Sequence, residues 1–260
     1  MTRHKNDHFV RTLPHPRALL LALTLILCFC SMTGCAAPSP SPSAEPTVEP
    51  TTPLPAANPY AGTEVITKSF EWTYWRFDDY TWRWSIDIPT ELYEHYRTMP
   101  RPQTTDYVIY ASDDGDREII DDLARTLAAQ ADQLGLDDYE RVHFIATFVQ
   151  KLAFALDIDT TGFDDYGRYP IETIVDERGD CEDTAILLGK IMSSIGYDVV
   201  LVRFPDHIGL GVLEQNRYVG TYYEHKGRKY FYLETTGEAG RIGLVPPEYK
   251  GQSAYIFDFS

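Results

Sequence analysis

The sequence predicts an α+β fold in which helices come first and an antiparallel sheet follows. Between residues 119 and 195, three segments carry apolar residues at the helical spacing of three and four positions. After residue 197 the apolar residues fall into short runs separated by turn-forming residues, which is typical of strands. An aromatic segment ahead of both regions predicts a separate β-hairpin. Helices followed by strands, instead of alternating with them, indicate the α+β class.

The predicted N-terminal hairpin consists of residues 70–77 and 80–88 and contains all four tryptophans. Every second residue of its second strand is aromatic or aliphatic, so these side chains share one face. Asp78 and Asp79 supply the turn between the strands. Such an aromatic stripe either packs in a core or binds carbohydrate, and we expect core packing.

Three helices are predicted next. The first covers residues 119–134. The second begins at Asp137, with Glu140 in a capping-box position, and its apolar stripe continues to Leu156. The third covers residues 181–195. We expect this third helix to pack on the antiparallel sheet that follows it. The predicted strands of that sheet are residues 197–204, 207–213, 217–223 and 229–235, with a turn at 224–227.

The composition is that of an acidic globular protein. Hydrophobic residues make up 43% of the 260 residues, and the net charge is −16. Because the first 34 residues are basic, the acidic excess lies in the remainder. That charge repels phosphate backbones and excludes nucleic acid as a partner. The carboxylates are so numerous that some pair must lie close together, so they give no specific indication of a glycosidase.

The N-terminus has the order of a secretory signal. A basic segment precedes the apolar residues 18–32, which are too few to span a bilayer as a helix. The following Cys35, preceded by small residues, is similar to the lipidated cysteine of bacterial lipoproteins. We therefore expect residues 1–34 to be a signal peptide and Cys35 to anchor the chain to the cell membrane. An uncleaved membrane anchor is the alternative, and both place the domain on the extracytoplasmic side.

Residues 35–64 form the predicted tether. After Cys35 this segment is rich in Pro, Ser, Thr and Ala, a composition that cannot bury a core and that forms semi-extended linkers. The folded domain is therefore predicted to cover residues 65–260.

Cys181 is the one cysteine beyond the first 35 residues, which excludes a disulfide framework. It lies at the start of the third predicted helix, where free backbone N–H groups and the helix dipole lower a thiol pKa and can bind an oxyanion. The adjacent Asp180, Glu182 and Asp183 oppose a thiolate, so a cationic partner such as imidazole is required. A buried structural cysteine is the alternative.

His207 is the best candidate for that partner, because it opens a strand whose end can face a helix N-terminus. The other histidines have simpler explanations. His95 lies in a polar segment, His143 lies in a helix beside its apolar stripe, and His225 lies in a turn. Glu234 ends a later strand, where its carboxylate could orient an imidazole. A core histidine is the alternative for His207.

These residues resemble the transglutaminase-like, papain-related superfamily. The segments similar to secreted prokaryotic transglutaminase-like proteins are FVQKLAFALD, RYPIETIVDERGDCEDTAILL, GYDVVLVRFPDHIGLGV and YFYLETTG, within residues 70–258. The resemblance implies a transglutaminase-like, papain-like core, with Cys181 as nucleophile, His207 as base and then acid, and Glu234 as orienting acid, where most of the superfamily has Asp. It also suggests Gln150 as an oxyanion donor and Tyr169 as a site residue. A helix-surface amide and a core aromatic are their alternatives.

The implied reaction is acyl transfer from an extracellular protein or peptide through a thioester. Water as acceptor gives a protease or amidase, and an amine gives a cross-linking transglutaminase. Hydrolysis is favoured because prokaryotic members more often resemble hydrolases. The alternative is a catalytically silent binding or scaffold module of the cell envelope. The sequence leaves the substrate and the oligomeric state open.

No metal cofactor is expected. Residues 157–165 approach the pattern of a calcium loop, but Arg168 stands where the bidentate Glu belongs, so we interpret the segment as an acidic surface loop, with a calcium site as the alternative. The histidines and cysteines lack zinc-ligand spacing.

Overall fold

The structure is a computed structural model that describes residues 63–77, 81–215, 217–237 and 240–259. The predicted signal peptide, the lipidation site at Cys35 and nearly all of the linker lie outside the described residues. Within those residues no helix combines the length and the apolar character needed to cross a membrane. The elements are β1 (Val65–Thr73), β2 (Thr81–Pro89), α1 (Thr90–Thr98), α2 (Arg117–Gln133), α3 (Asp138–Gln150), β3 (Ala153–Phe154), α4 (Asp157–Thr160), α5 (Pro170–Asp176), β4 (Arg178–Gly179), α6 (Cys181–Ser194), β5 (Val199–Arg203), β6 (Ile208–Leu213), β7 (Tyr222–His225), β8 (Arg228–Leu233) and β9 (Tyr255–Asp258).

The N-terminal hairpin packs its aromatic face on α3. β1 and β2 pair antiparallel, and the rings of Trp72 and Trp82 meet Phe148 and Phe144 edge to face, each at 5.3 Å between ring centroids. Burial of these rings makes them part of the main core. Trp75 lies outside β1, in a short 3-10 turn, and is exposed.

The prediction that the second helix continues to Leu156 is wrong. α3 ends at Gln150, and the chain then turns to pair β3 with β4. The Ala153 N–H donates to the Glu177 carbonyl at 3.1 Å, which replaces the helical hydrogen bond that this residue would otherwise make. Leu156 consequently lies just before α4 and is half exposed.

The main sheet has five strands in the order β7-β8-β6-β5-β9, and every neighbouring pair is antiparallel. α6 packs on β5 and β6, and α2 and α3 pack on α6. This mixed architecture agrees with the predicted α+β class. The main hydrophobic core extends from the hairpin through these helices to the sheet.

The predicted strand at 217–223 is wrong over most of its length, because β7 begins only at Tyr222. Gly220 has a φ of +113° and crosses Gly243 so closely that a Cβ would lie 2.3 Å from the Gly243 carbonyl oxygen. That crossing breaks the extended conformation before β7 starts. The turn into β8 is confined to Lys226 and Gly227, which both have positive φ, as a two-residue hairpin turn requires.

Candidate active site

His207 and Glu234 lie at the same end of the sheet. β5 and β6 are joined by a tight turn, in which the Phe204 N–H donates to the His207 carbonyl at 2.8 Å, so His207 immediately precedes β6. Glu234 immediately follows β8, the other neighbour of β6. Antiparallel pairing therefore brings the start of one strand beside the end of the other.

A hydrogen bond of 2.8 Å joins His207 Nε2 to Glu234 Oε2. The Tyr232 hydroxyl donates to the same oxygen at 2.8 Å. Oε1 accepts from the backbone N–H groups of Thr235 and Thr236, each at 3.0 Å, and from the Thr236 hydroxyl at 2.8 Å. Burial alone would raise the pKa of Glu234, but the hydrogen bonds from His207 and Thr236 outweigh it and hold the pKa below its ordinary value. The carboxylate is therefore an anion with a fixed orientation.

Tyr232 reaches Glu234 by lying across β6 at Gly209. A Cβ on residue 209 would stand 2.5 Å from the Tyr232 hydroxyl oxygen and 2.6 Å from its ring. Only glycine leaves room for the ring there, so Gly209 is a requirement of the hydrogen bond that Tyr232 makes.

Cys181 is the first residue of α6 and is partly buried. Its thiol donates to Glu182 Oε2 at 3.2 Å. Among the hydrogen bonds of the described residues, none joins the thiol to His207. Of the two opposing effects expected from the sequence, the one that raises the thiol pKa is the larger in this arrangement. Burial raises the pKa of Cys181, and the carboxylates of Glu182 and Asp180 raise it further, whereas a hydrogen bond from the Ile208 backbone N–H acts in the opposite direction.

Cys181 nevertheless lies beside the segment that carries His207, since Ile208 is the next residue along the chain. A second link joins the first turn of α6 to the segment of Glu234. The hydroxyls of Thr184 and Thr235 are hydrogen-bonded at 3.0 Å, and the Thr184 hydroxyl also contacts the Asp180 carbonyl at 2.9 Å. The structure thus brings His207 and Glu234 into direct contact and attaches the start of α6 to the same end of the sheet.

Gln150 and Tyr169 have other contacts. Gln150 Nε2 donates to the carbonyl oxygens of Glu234 at 2.8 Å and Gly240 at 3.2 Å. Both of its N–H groups are used, so in this structure Gln150 supports the Glu234 segment and has no donor left for an oxyanion. The Tyr169 ring is buried against Tyr96 and Tyr110, each at 5.0 Å between ring centroids, which matches its core-aromatic alternative.

Four buried carboxyl groups and one buried guanidinium surround the start of α6. Arg168 is fully buried, and its Nη1 contacts Asp157 at 2.7 Å and Asp183 at 2.5 Å. Burial raises the pKa of Asp180 and of Asp183, and their proximity to other carboxylates adds to the effect. Gly179 permits this crowding, because a Cβ there would lie 2.5 Å from the Asp183 Cβ.

Part of this cluster fits a divalent cation. One carboxylate oxygen from each of Asp157, Asp180 and Glu182 lies within 4.8 Å of the others. Asp180 is only 9% exposed, and its buried Oδ1 accepts no hydrogen bond from any described residue. Hard oxygen ligands with an unsatisfied acceptor suit calcium. Arg168 lies inside the cluster, where it pairs with Asp157 and Asp183. The candidate ligands Asp157, Asp180 and Glu182 therefore differ from the calcium loop at residues 157–165 that the sequence suggested.

The sequence analysis missed Tyr232, Thr236 and Tyr249. Tyr232 had a usable signal, since a residue two positions before Glu234 on a strand shares its face. Tyr249 had none. It lies between β8 and β9 in a short 3-10 turn, and its ring stacks on His207 at 4.9 Å between ring centroids with an interplanar angle of 11°.

No protein-family model matches the sequence, and a search of curated proteins also found no match. Among solved structures, calcium-bound Legionella pneumophila LapG is 15% identical, with a TM-score of 0.34, over 64% of this chain and 80% of that chain. A second structure of Legionella pneumophila LapG gives the same identity and coverage with a TM-score of 0.31. The likeness is distant and does not assign the chain to a family.

Proposed function

We propose that the chain is a cysteine acyl-transfer enzyme of the transglutaminase-like superfamily, with Cys181 as nucleophile, His207 as base and then acid, and Glu234 as orienting carboxylate. The observation that carries the proposal is the hydrogen bond between His207 and Glu234 at the end of the sheet to which the start of α6 is attached. A binding module has no need for a carboxylate that accepts five hydrogen bonds, one of them from an imidazole.

The tautomer of His207 follows from this contact. Because Glu234 is ionised, Nε2 of His207 carries the proton and donates it, which leaves Nδ1 as the acceptor for a thiol proton. The positive charge that then develops on the imidazole lies next to the Glu234 carboxylate. Tyr249 stacks on one face of the ring, and the side chains of His207 and Glu234 are only 13% and 12% exposed, which strengthens the interaction between them.

Proton transfer requires the Cys181 thiol to leave Glu182 and turn to His207 Nδ1. The thiolate then attacks the carbonyl carbon of an amide, and the oxyanion binds the Cys181 backbone N–H at the helix start. His207 returns the proton to the departing amine, which leaves a thioester on Cys181. Attack by water completes hydrolysis, which we favour, and attack by a primary amine completes a cross-link.

We also propose that Asp157, Asp180 and Glu182 bind calcium. The support is their mutual distance and the unsatisfied Asp180 oxygen. A bound calcium ion would supply positive charge beside carboxylates that oppose thiolate formation.

The membrane location remains a proposal drawn from the leader. We propose that Cys35 carries the lipid and that the domain faces the extracytoplasmic side. Replacement of Cys35 by Ser should move the protein from the detergent-soluble membrane fraction to the medium. Retention of the variant in the membrane would favour an uncleaved anchor.

The central test is alkylation of Cys181 by iodoacetamide in the full chain, with peptide mapping and with calcium at about 1 mM. We expect His207→Ala to slow labelling at least about tenfold, since it removes the base. Peptide pools are then assayed for new N-termini, for released ammonia and for incorporation of a fluorescent amine. Equal, slow labelling of both proteins together with no turnover would favour the silent binding module, which the bond between the thiol and Glu182 also supports.

A further inference from the structure

The surface next to the nucleophile is formed by β3, α4 and the loop after α4. In the parallel pairing of β3 with β4, Phe154 lies opposite Gly179, two residues before Cys181. The Ala155 N–H continues this contact by donating to the Gly179 carbonyl at 3.1 Å. The chain that follows Phe154 therefore runs along the start of α6.

Four large apolar side chains of this surface are half exposed or more. The exposed fractions are 60% for Phe154, 50% for Leu156, 52% for Ile158 and 67% for Phe163. Between them the buried Asp157 turns inward to Arg168, so neighbouring side chains point to opposite sides. Single exposed apolar residues are ordinary, but four within ten positions beside a thiol are typical of an interaction site.

The part of this surface that follows Phe154 is acidic, whereas the exposed Arg178 lies opposite Ala153 at the start of β3. Asp159, Asp164 and Asp165 are exposed among the apolar side chains. The basic residue nearest in sequence after them, Arg168, is fully buried in ion pairs and offers no charge to a partner. An apolar and anionic surface complements a partner that carries apolar and cationic side chains. It repels anionic lipid, and it also repels a second copy of a chain with a net charge of −16.

We propose that residues 154–163 bind an extended substrate segment in which apolar side chains are interspersed with lysine or arginine. This surface would then select which peptide presents its amide to Cys181. The inference rests on the proposed function and adds a substrate class to it.

The test uses the full chain in detergent with Cys181→Ala, so that binding is measured without turnover. Two fluorescein-labelled peptides of matched length are compared by anisotropy, one with leucine and lysine interspersed with serine and one with glutamate in place of lysine. We expect the lysine peptide to bind at least about tenfold more tightly, with an advantage that shrinks as salt is raised. Phe154→Ser and Phe163→Ser should each weaken binding by about tenfold.

The matched control is Val219→Ser, which removes an apolar side chain that is 76% exposed in the loop before β7. It should leave binding unchanged. The double variant Asp159→Asn, Asp164→Asn should abolish the preference for lysine, and it changes no apolar packing.

Equal binding of the two peptides, or unchanged binding by Phe154→Ser and Phe163→Ser, would overturn the proposal. Concentration-dependent dimerisation that Phe154→Ser removes would assign the surface to a second copy instead. Failure of the proposed function has a different signature. The Cys181→Ala protein would still bind the lysine peptide, while the wild-type chain would neither cleave it nor couple it to an amine.

Discussion

Replacement of Glu234 by Gln changes one oxygen to an NH₂ group in a site where all the partners of the carboxylate donate. Two donors, from His207 and Tyr232, face Oε2, and three donors face Oε1. The amide will turn its NH₂ toward the side with fewer donors. His207 then accepts at Nε2 and carries its proton on Nδ1, where it can no longer take the thiol proton.

The catalytic loss should approach the effect of the same carboxylate-to-amide change in a triad, about 10⁴-fold in kcat. This corresponds to about 5 kcal/mol of transition-state stabilisation. The Tyr232 hydroxyl also loses its acceptor, which should lower the free energy of unfolding by about 1–3 kcal/mol. Glu234→Asp keeps the charge but is one methylene shorter, so we expect a smaller catalytic loss.

The assay measures kcat and KM on a peptide that the wild-type chain turns over, together with urea unfolding and the ¹⁵N tautomer signature of His207. We expect kcat to fall while KM stays nearly constant, and the proton to move from Nε2 to Nδ1. A folded Glu234→Gln protein with kcat within tenfold of wild type, or with an unchanged tautomer, would refute the orienting role of Glu234.

Three further predictions concern other parts of the molecule. Tyr249→Ala removes the ring that stacks on His207 and should lower kcat about tenfold. Tyr249→Phe keeps the ring and should have a kcat close to that of the wild type. Equal losses of kcat in the two variants would contradict the stacking role. Calcium should raise the melting temperature of the wild-type chain and leave that of Asp180→Asn unchanged in scanning calorimetry, and an equal rise in both would remove Asp180 from the site. Burial and, to a smaller extent, the charge of Arg241 lower the pKa of His143 to about 4. The native state therefore binds a proton at His143 only at a lower pH than the unfolded chain, whose histidine has a pKa of about 6.5. Stability should therefore fall as the pH drops from 7 to 5, with about 2 kcal/mol of the loss due to His143; urea unfolding of His143→Gln should lack that part, and an unchanged pH dependence would contradict it.

Much of the fold could be predicted because the apolar residues of its periodic segments are the ones that the tertiary structure buries. The hairpin, α2, the start of α3, α6 and β5, β6 and β8 all have apolar patterns that match the faces they bury. The structure differs where long-range contacts override a local pattern. Pairing with β4 ends α3 before Leu156, and the crossing of Gly220 and Gly243 prevents a strand there. β9 is a short edge strand that only its pairing with β5 defines.

The sequence by itself determined that one thiol lies at a helix start, with a histidine and a glutamate at the ends of later strands. Strand order brings His207 and Glu234 together, so only the tertiary structure could supply their hydrogen bond, the support from Tyr232 and the stacking of Tyr249. Tertiary structure also decided the state of the thiol. A helix N-terminus favours a thiolate, but burial and the carboxylates around Cys181 act over a few ångströms in a low dielectric and have the larger effect on its pKa.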